Sequence, residues 1–234
     1  MSYTIISGMS LDYYNNIGQS MIESWLHYWP EQYSLKIYTE DTLPINNNRI
    51  EIIDINNIDS QYTEFQNAKF KLESRSKRFA KKAWPIMKNL EDNDGYLIWV
   101  DADVITQDYI TEEYLDSLLP NDCFSCHIGV PQGPYYSVET GFFIINKSNK
   151  FKDAFLNKYK YIYYNRDFSD MHKPFDGDTF GKVIRDLKDN KEFKYKELNS
   201  EKMSKSPFNH IFKDIMKHYK AKRKNNFDSI EDET

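Results

Sequence analysis

The segment YLIWVDADV, residues 96–104, places two carboxylates directly after a run of apolar side chains. The run from Leu97 to Val100 predicts a buried strand, in which residues two apart point to the same side. Asp101 and Asp103 are therefore expected to converge on one point. Two neighbouring carboxylates repel each other unless a cation lies between them, and Mg²⁺ or Mn²⁺ prefers such hard oxygen ligands. The alternative is a pair of solvated aspartates that opens a loop.

Strands alternate with helices along the rest of the chain. The pattern predicts strands at 3–8, 34–40, 49–55, 96–104, 123–130 and 138–146, and helices at 13–29, 61–90, 111–119, 150–165 and 178–189. This order predicts an α/β fold, a single domain with a mainly parallel central sheet flanked by helices. Ligands of such sheets bind at the carboxyl ends of strands. Ser7 and Gly8 end the first strand, so they are expected beside the aspartate pair.

Composition excludes some classes of function. The chain has 234 residues with 31 basic and 36 acidic side chains, a net charge of −5, which argues against a protein that mainly coats nucleic acid or anionic membrane. A signal-like N-terminus and a 20-residue apolar run are both missing from the sequence, which predicts a cytoplasmic protein. The abundance of Asn, Lys, Ile and Tyr is typical of an A+T-rich bacterial or viral genome.

The two cysteines form a C-x-x-C in the apolar segment CFSCHIGV, residues 123–130. Such a spacing can belong to a redox pair or to half of a metal site, and His127 lies beside it. Because no second C-x-x-C follows and the segment reads as a strand, Cys123 and Cys126 are expected to be reduced thiols of the core.

Five further segments carry chemistry-bearing side chains in a recognisable order. They are YYNNIGQSMIESW (13–25), KRFAKKAW (77–84), VETGFFIIN (138–146), FDGDTF (175–180) and HYKAKRK (218–224). With the D-x-D segment, they resemble the GT-A glycosyltransferases, most of all the retaining, glycogenin-like family of nucleotide-sugar transferases. Three segments depart from the family pattern: Glu139-Thr140 replaces Asn-Ser, Gly177 stands in an Asp-Gln-Asp, and Ala221 replaces Gly.

The resemblance implies a GT-A fold with a Mn²⁺ or Mg²⁺ ion and a nucleotide-sugar donor, in the first place a UDP-sugar. Asp101, Asp103 and His218 are then the metal ligands. Tyr14 is expected to stack near the nucleotide base, and Lys224 to meet the diphosphate. The full set of expected donor contacts is Ser7, Gly8, Tyr14, Arg78, Lys82, Asp101, Ala102 and Lys224. The alternative for Arg78 and Lys82 is a solvated basic face of a helix. The alternative for His218 is a solvated basic tail.

Three carboxylates of the second half are candidates for catalysis or sugar binding: Glu139, Asp176 and Asp178. They could bind sugar hydroxyls or stabilise an oxocarbenium-like state. The family is commonly described as reacting on the front face without a dedicated protein base. A helix N-cap or an ordinary surface carboxylate is the alternative for each of them.

The expected organisation is one GT-A domain over residues 1–226. It comprises a nucleotide-binding half (1–104), an acceptor and sugar half (105–205) and a closing segment (206–226), followed by an acidic tail (227–234). The acceptor could be a saccharide or, given the basic residues near the C-terminus, a hydroxymethylated base in viral DNA. A sugar-phosphate nucleotidyltransferase and a non-catalytic nucleotide-sugar-binding protein are the alternative functions. The first of these usually opens with a glycine-rich loop, which TIISGMSLDYY (4–14) lacks.

Overall fold

The computed structural model describes residues 2–70, 73–132, 134–198 and 207–219. Within these ranges the strands are β1 (Tyr3–Gly8), β2 (Leu35–Thr39), β3 (Ile50–Asp54), β4 (Tyr96–Val100), β5 (Val104–Thr106), β6 (Ser125–Gln132), β7 (Tyr135–Asn146), β8 (Lys196–Glu197) and β9 (Met216–His218). The helices are α1 (Leu11–Tyr13), α2 (Gln19–Tyr28), α3 (Ser60–Asn67), α4 (Glu73–Asn89), α5 (Glu112–Leu118), α6 (Lys152–Tyr164), α7 (Asp176–Lys188) and α8 (Pro207–Ile211). A π-helical turn, Tyr14–Gly18, joins α1 to α2.

Seven of the described strands form one sheet in the order β3-β2-β1-β4-β7-β6-β8. The first four strands in this order are parallel, β7 runs antiparallel to both β4 and β6, and β8 is parallel to β6. The predicted fold class is therefore confirmed, with β7 as the reversed strand. Because β4 pairs with β7, the predicted nucleotide and sugar halves share one continuous sheet.

Alternation along β4 builds a core on each face of the sheet. Leu97 and Trp99 point to the face that packs against α3, α4, α6 and α7. Ile98 and Val100 point to the opposite face, which packs against α2, α5 and α8. The result is a helix–sheet–helix arrangement whose central strand is buried on both sides, as expected for an apolar run of this kind.

Several predicted elements need adjustment at their ends. The helical region 61–90 is two helices, because Ala68 takes an extended conformation after α3. The strand at 96–104 ends at Val100, and the N–H of Val104 donates to the carbonyl of Asp101 at 3.0 Å. The two aspartates therefore lie in a tight turn, and strand alternation does not explain their convergence. The cap at Thr111 is confirmed, since its hydroxyl accepts the Tyr114 N–H at 3.1 Å.

Cys123 and Cys126 are both free and buried, as the sequence predicts for core thiols. Burial raises the pKa of the Cys126 thiol to about 12, so it is inert at neutral pH. His127 is fully buried, with Ser125 Oγ at 3.1 Å from one ring nitrogen and Tyr136 Oη at 3.0 Å from the other.

Among the helices of the described ranges, none combines the length and the apolar character that crossing a membrane requires.

Candidate active site

A cavity of about 900 Å³ opens at the carboxyl ends of β1, β2 and β4. Gly8 and Thr39 are the last residues of the first two of these strands, and the D-x-D turn follows the third. Arg78 and Lys82 bring positive charge to the wall from α4. The volume of the cavity lies within the usual range for small-molecule sites, and its position is the one expected for ligands of a parallel sheet.

Three potential metal ligands converge in this cavity. One ligand atom each from Asp101, Asp103 and His218 lies within 4.8 Å of the others. His218 Nε2 is 3.0 Å from Asp103 Oδ1 and 3.9 Å from Asp101 Oδ2. The structure thus brings together the three residues that the sequence predicts as metal ligands.

The C-terminal strand carries His218 back to the D-x-D turn. β9 pairs antiparallel with β5, and His218 stands opposite Val104, the residue after the second aspartate. Asn209 holds both backbone groups of His218, accepting its N–H at 2.6 Å and donating to its carbonyl at 3.1 Å. Phe208 packs its ring against the imidazole at 5.1 Å. The predicted return of the chain over the strand end is therefore present in residues 207–219.

The donor set fits a divalent cation. Asp103 and His218 are each 7% exposed, so the centre between them is largely shielded from water. Burial raises the pKa of Asp101, Lys82 opposes this effect and the neighbouring Asp103 adds to it. Two carboxylates and an imidazole in this arrangement suit a divalent metal ion.

Lys82 connects the D-x-D turn to the N-terminus of α7. Its ammonium lies 2.7 Å from Asp101 Oδ1 and 2.8 Å from Asp176 Oδ2, and it donates to the Thr140 carbonyl at 2.8 Å. Burial by itself would lower the pKa of Lys82, but the two carboxylates raise it above its usual range. Lys82 is therefore a buried cation that neutralises two carboxylates, and its predicted contact with a donor stays a prediction.

Asp176 is held in its ionised form. Burial would raise its pKa, but Lys82 and the Thr140 hydroxyl, which donates at 2.6 Å, bring the pKa below its usual range. Asp176 and Glu139 both line the cavity. Glu139 Oε1 is 3.5 Å from His218 Nδ1, on the side of the ring away from the aspartates.

Asp178 differs from the other two candidate carboxylates. It lies in the first turn of α7, is 3% exposed, and is not one of the described residues of the cavity wall. Burial raises its pKa to about 6, with His172 opposing the effect and Asp176 adding to it. Its role in catalysis stays a prediction.

The raised pKa of Asp178 predicts a pH-dependent stability. A carboxyl whose pKa is higher in the folded state destabilises the fold when it is ionised, and this penalty disappears as the pH falls through about 6. Asp178→Asn is therefore expected to raise the urea midpoint relative to wild type at pH 8, and this gain should shrink by pH 5. The measurement is urea unfolding of both proteins at several pH values.

The exposed Asp189 at the other end of α7 offers a matched control. Because the side chain of Asp189 is exposed, Asp189→Asn is expected to shift the urea midpoint only slightly at either pH. A gain for Asp178→Asn that is the same at pH 5 and pH 8 would contradict the raised pKa.

The remaining predicted donor contacts are distributed unevenly. Gly8, Ala102 and Arg78 lie on the cavity wall, with Lys82, Asp101 and Asp103. Ser7 is fully buried. Tyr14 packs against the core on the α2 face and is not among the described wall residues, which include its neighbour Tyr13. Lys224 lies outside the described residues.

Three residues of the site were missed by sequence reasoning. Tyr13 donates its hydroxyl to Asp103 Oδ2 at 2.6 Å, and Trp99 donates its indole N–H to Asp101 Oδ1 at 2.6 Å. Thr140 links Lys82 to Asp176 through its carbonyl and hydroxyl. The adjacent tyrosines marked the right region for Tyr13, but Trp99 read only as part of an apolar strand.

The lack of a side chain at Gly141 leaves space for the imidazole of His218. A Cβ at this position would lie 2.8 Å from His218 Nδ1 and 2.9 Å from His218 Cε1, which is closer than real contacts allow, and a tight 3.2 Å from the Phe208 ring. Gly141→Ala is therefore expected to displace the imidazole and weaken Mn²⁺ binding about tenfold, the lower end of the range for disturbed ligand orientation. Titration of the purified variant with Mn²⁺, followed by electron paramagnetic resonance, measures this; unchanged affinity would show that the ring can shift without consequence.

Comparison with known proteins identifies the fold. No protein-family model and no curated protein matches the sequence. Among solved structures, mouse xyloside xylosyltransferase 1 aligns with a TM-score of 0.55 and 12% identity over 92% of each chain. A glycosyltransferase involved in glycosylation of the major capsid of PBCV-1 aligns with a TM-score of 0.50 and 14% identity, over 93% of this chain and 92% of that one. An active-site mutant of LgtC gives 0.50 and 15%, over 75% and 68%. The chain has the GT-A fold of these glycosyltransferases.

Proposed function

We propose that the protein is a metal-dependent glycosyltransferase that moves a sugar from a nucleotide sugar to a hydroxyl group. The observation that carries the proposal is the convergence of Asp101, Asp103 and His218 in the cavity of a GT-A fold. The solved structures with this fold include a xylosyltransferase and other glycosyltransferases. A sugar-phosphate nucleotidyltransferase lacks support, because the turn after β1 is not glycine-rich.

The cavity wall suits a nucleoside diphosphate sugar. Lys77, Arg78 and Lys81 line it beside the candidate ligands and supply positive charge for phosphates. Phe79 and Phe175, with ring centroids 4.9 Å apart, add an aromatic surface. We infer a UDP-sugar or a related donor.

The chemistry follows from the charges that the chain fixes in the cavity. A divalent cation held by Asp101, Asp103 and His218 would supply Lewis-acid stabilisation of a departing diphosphate. Arg78 adds positive charge on the cavity wall, where preorganised charge contributes most to catalysis. Asp176 is kept as an anion by Lys82, so it can accept hydrogen bonds from sugar hydroxyls.

The acceptor is proposed to be a saccharide hydroxyl, and transfer is proposed to retain the anomeric configuration. The modified-DNA acceptor depends on basic residues that mostly lie outside the described ranges, so it stays a prediction. A cytoplasmic location and a bacterial or viral origin are also predictions from composition.

The test is a screen of purified protein with a panel of nucleotide sugars, because glycosyltransferases commonly hydrolyse their own donor slowly. We expect Mn²⁺-dependent release of free nucleotide from one donor, lost on chelation and restored by Mn²⁺. Nuclear magnetic resonance of the transferred sugar then reads retention or inversion. Release of pyrophosphate from a nucleoside triphosphate and a sugar phosphate, with no donor hydrolysis, would instead indicate a nucleotidyltransferase.

A further inference from the structure

We propose that Tyr13 and Glu139 are positioning residues that orient two of the three candidate metal ligands, Asp103 and His218. The inference rests on the metal site of the proposed function and assigns new roles around it. Each candidate ligand has two polar atoms, and in each case one of them contacts a neighbouring side chain while the other faces the shared centre.

Tyr13 sets the rotation of the Asp103 carboxylate. Its hydroxyl donates to Oδ2 at 2.6 Å, and the other oxygen, Oδ1, lies 3.0 Å from His218 Nε2. The backbone of Tyr13 is itself fixed, because its N–H donates to the side chain of the N-cap residue Ser10 at 3.2 Å.

Asp101 shows the same arrangement with different partners. Its Oδ1 accepts from the Trp99 indole at 2.6 Å and from Lys82 at 2.7 Å, whereas Oδ2 lies on the side of the histidine. The carboxylates of Asp101 and Asp103 therefore each direct one oxygen toward the point shared by the three candidate ligands. Carboxylates fixed in this way bind a metal without first losing rotational freedom.

Glu139 faces the opposite side of the imidazole. Its Oε1 is 3.5 Å from His218 Nδ1, while Nε2 faces the aspartates. This separation is longer than a normal hydrogen bond and is an electrostatic contact between the buried His218 ring and the half-buried Glu139 carboxylate. A ligating histidine usually directs its second ring N–H at a carboxylate, which fixes the tautomer that offers a lone pair to the metal. Glu139 is placed to do this, so we assign it to His218 and not to the substrate.

The test is the Mn²⁺ affinity of the donor-free protein, measured by electron paramagnetic resonance. Tyr13→Phe and Glu139→Leu are each expected to weaken Mn²⁺ binding about tenfold or more, the effect typical of lost ligand orientation. Glu139→Gln should retain most of the affinity, because its amide oxygen can still accept from Nδ1. Tyr109→Phe and Glu192→Leu, at exposed tyrosine and glutamate positions, are matched controls and should bind as wild type.

The possible outcomes distinguish failure of the metal site from failure of the two positioning roles. Wild-type protein that binds no Mn²⁺ would overturn the metal site itself, and the positioning roles with it. Wild-type binding with unchanged affinity in Tyr13→Phe and Glu139→Leu would overturn only the positioning roles. A Glu139→Leu variant with normal Mn²⁺ affinity and a lower kcat would show that Glu139 acts on the substrate and does not orient His218.

Discussion

Asp103→Asn is expected to reduce Mn²⁺ affinity by at least about 100-fold and to bring glycosyl transfer to background. The change removes one of two anionic ligands, and a neutral amide oxygen binds divalent cations far more weakly than a carboxylate. Asparagine keeps the shape of the side chain, but its one amide oxygen can either accept from the Tyr13 hydroxyl or face the metal centre, not both. The fold is therefore expected to persist.

Thermal unfolding separates loss of the metal from loss of the fold. Mn²⁺ should raise the melting temperature of wild type, because a ligand that binds only the folded state stabilises it. The metal-free variant should melt at or above the wild-type temperature, since two close carboxylates no longer repel, but Mn²⁺ should not raise it further. Asp108→Asn alters an exposed aspartate shortly after β5 and should respond to Mn²⁺ as wild type. A Mn²⁺ response preserved in Asp103→Asn would contradict the assignment.

Lys82→Met is expected to lower the free energy of unfolding by about 3–5 kcal/mol, the typical effect of removing one partner from a buried ion pair. The side chain of Lys82 is 10% exposed and contacts Asp101 and Asp176, whose charges would remain buried without a counterion. Glycosyl transfer should also fall to background, since the same contacts place both carboxylates on the cavity wall. Chemical denaturation gives the stability change directly.

The adjacent Lys81 is a matched control for this effect. Its ion pair with Glu40 is solvent-exposed, and such pairs contribute about 1 kcal/mol or less. Lys81→Met should therefore change the free energy of unfolding only slightly. Equal stability losses in the two variants would show that Lys82 contributes no more than a surface lysine.

Local patterns were sufficient to predict much of the fold. The apolar runs of β4 and its neighbours depend on short-range geometry, so six strands of the main sheet, β1, β2, β3, β4, β6 and β7, were predicted to within a few residues. The short elements β5, β8, β9 and α8 were not predicted. The fold class followed from the order of the predicted strands and helices. The candidate ligands Asp101 and Asp103 were predicted because they directly follow a buried strand, and His218 was predicted through the family resemblance.

The interactions that the sequence could not predict depend on tertiary geometry. The π-helical turn Tyr14–Gly18 follows directly on Tyr13, and it is Tyr13, not Tyr14, that contacts Asp103. The sequence predicts Lys82 as a donor contact but not its ion pair with Asp176, because only the packed structure brings Lys82 against α7. Gly141 likewise has no local signal, since its importance comes from an imidazole 77 positions further along the chain, the difference between 218 and 141.

The central claim is that Asp101, Asp103 and His218 hold a metal ion that serves a nucleotide-sugar site. Its most direct test is a crystal of the full chain grown with Mn²⁺ and UDP, with diffraction collected at a wavelength where manganese scatters anomalously. We expect a single strong anomalous peak within ligand distance of Asp101, Asp103 and His218, with the diphosphate next to it in the cavity. An anomalous peak elsewhere, or UDP bound in the cavity with no peak among these three residues, would contradict the account.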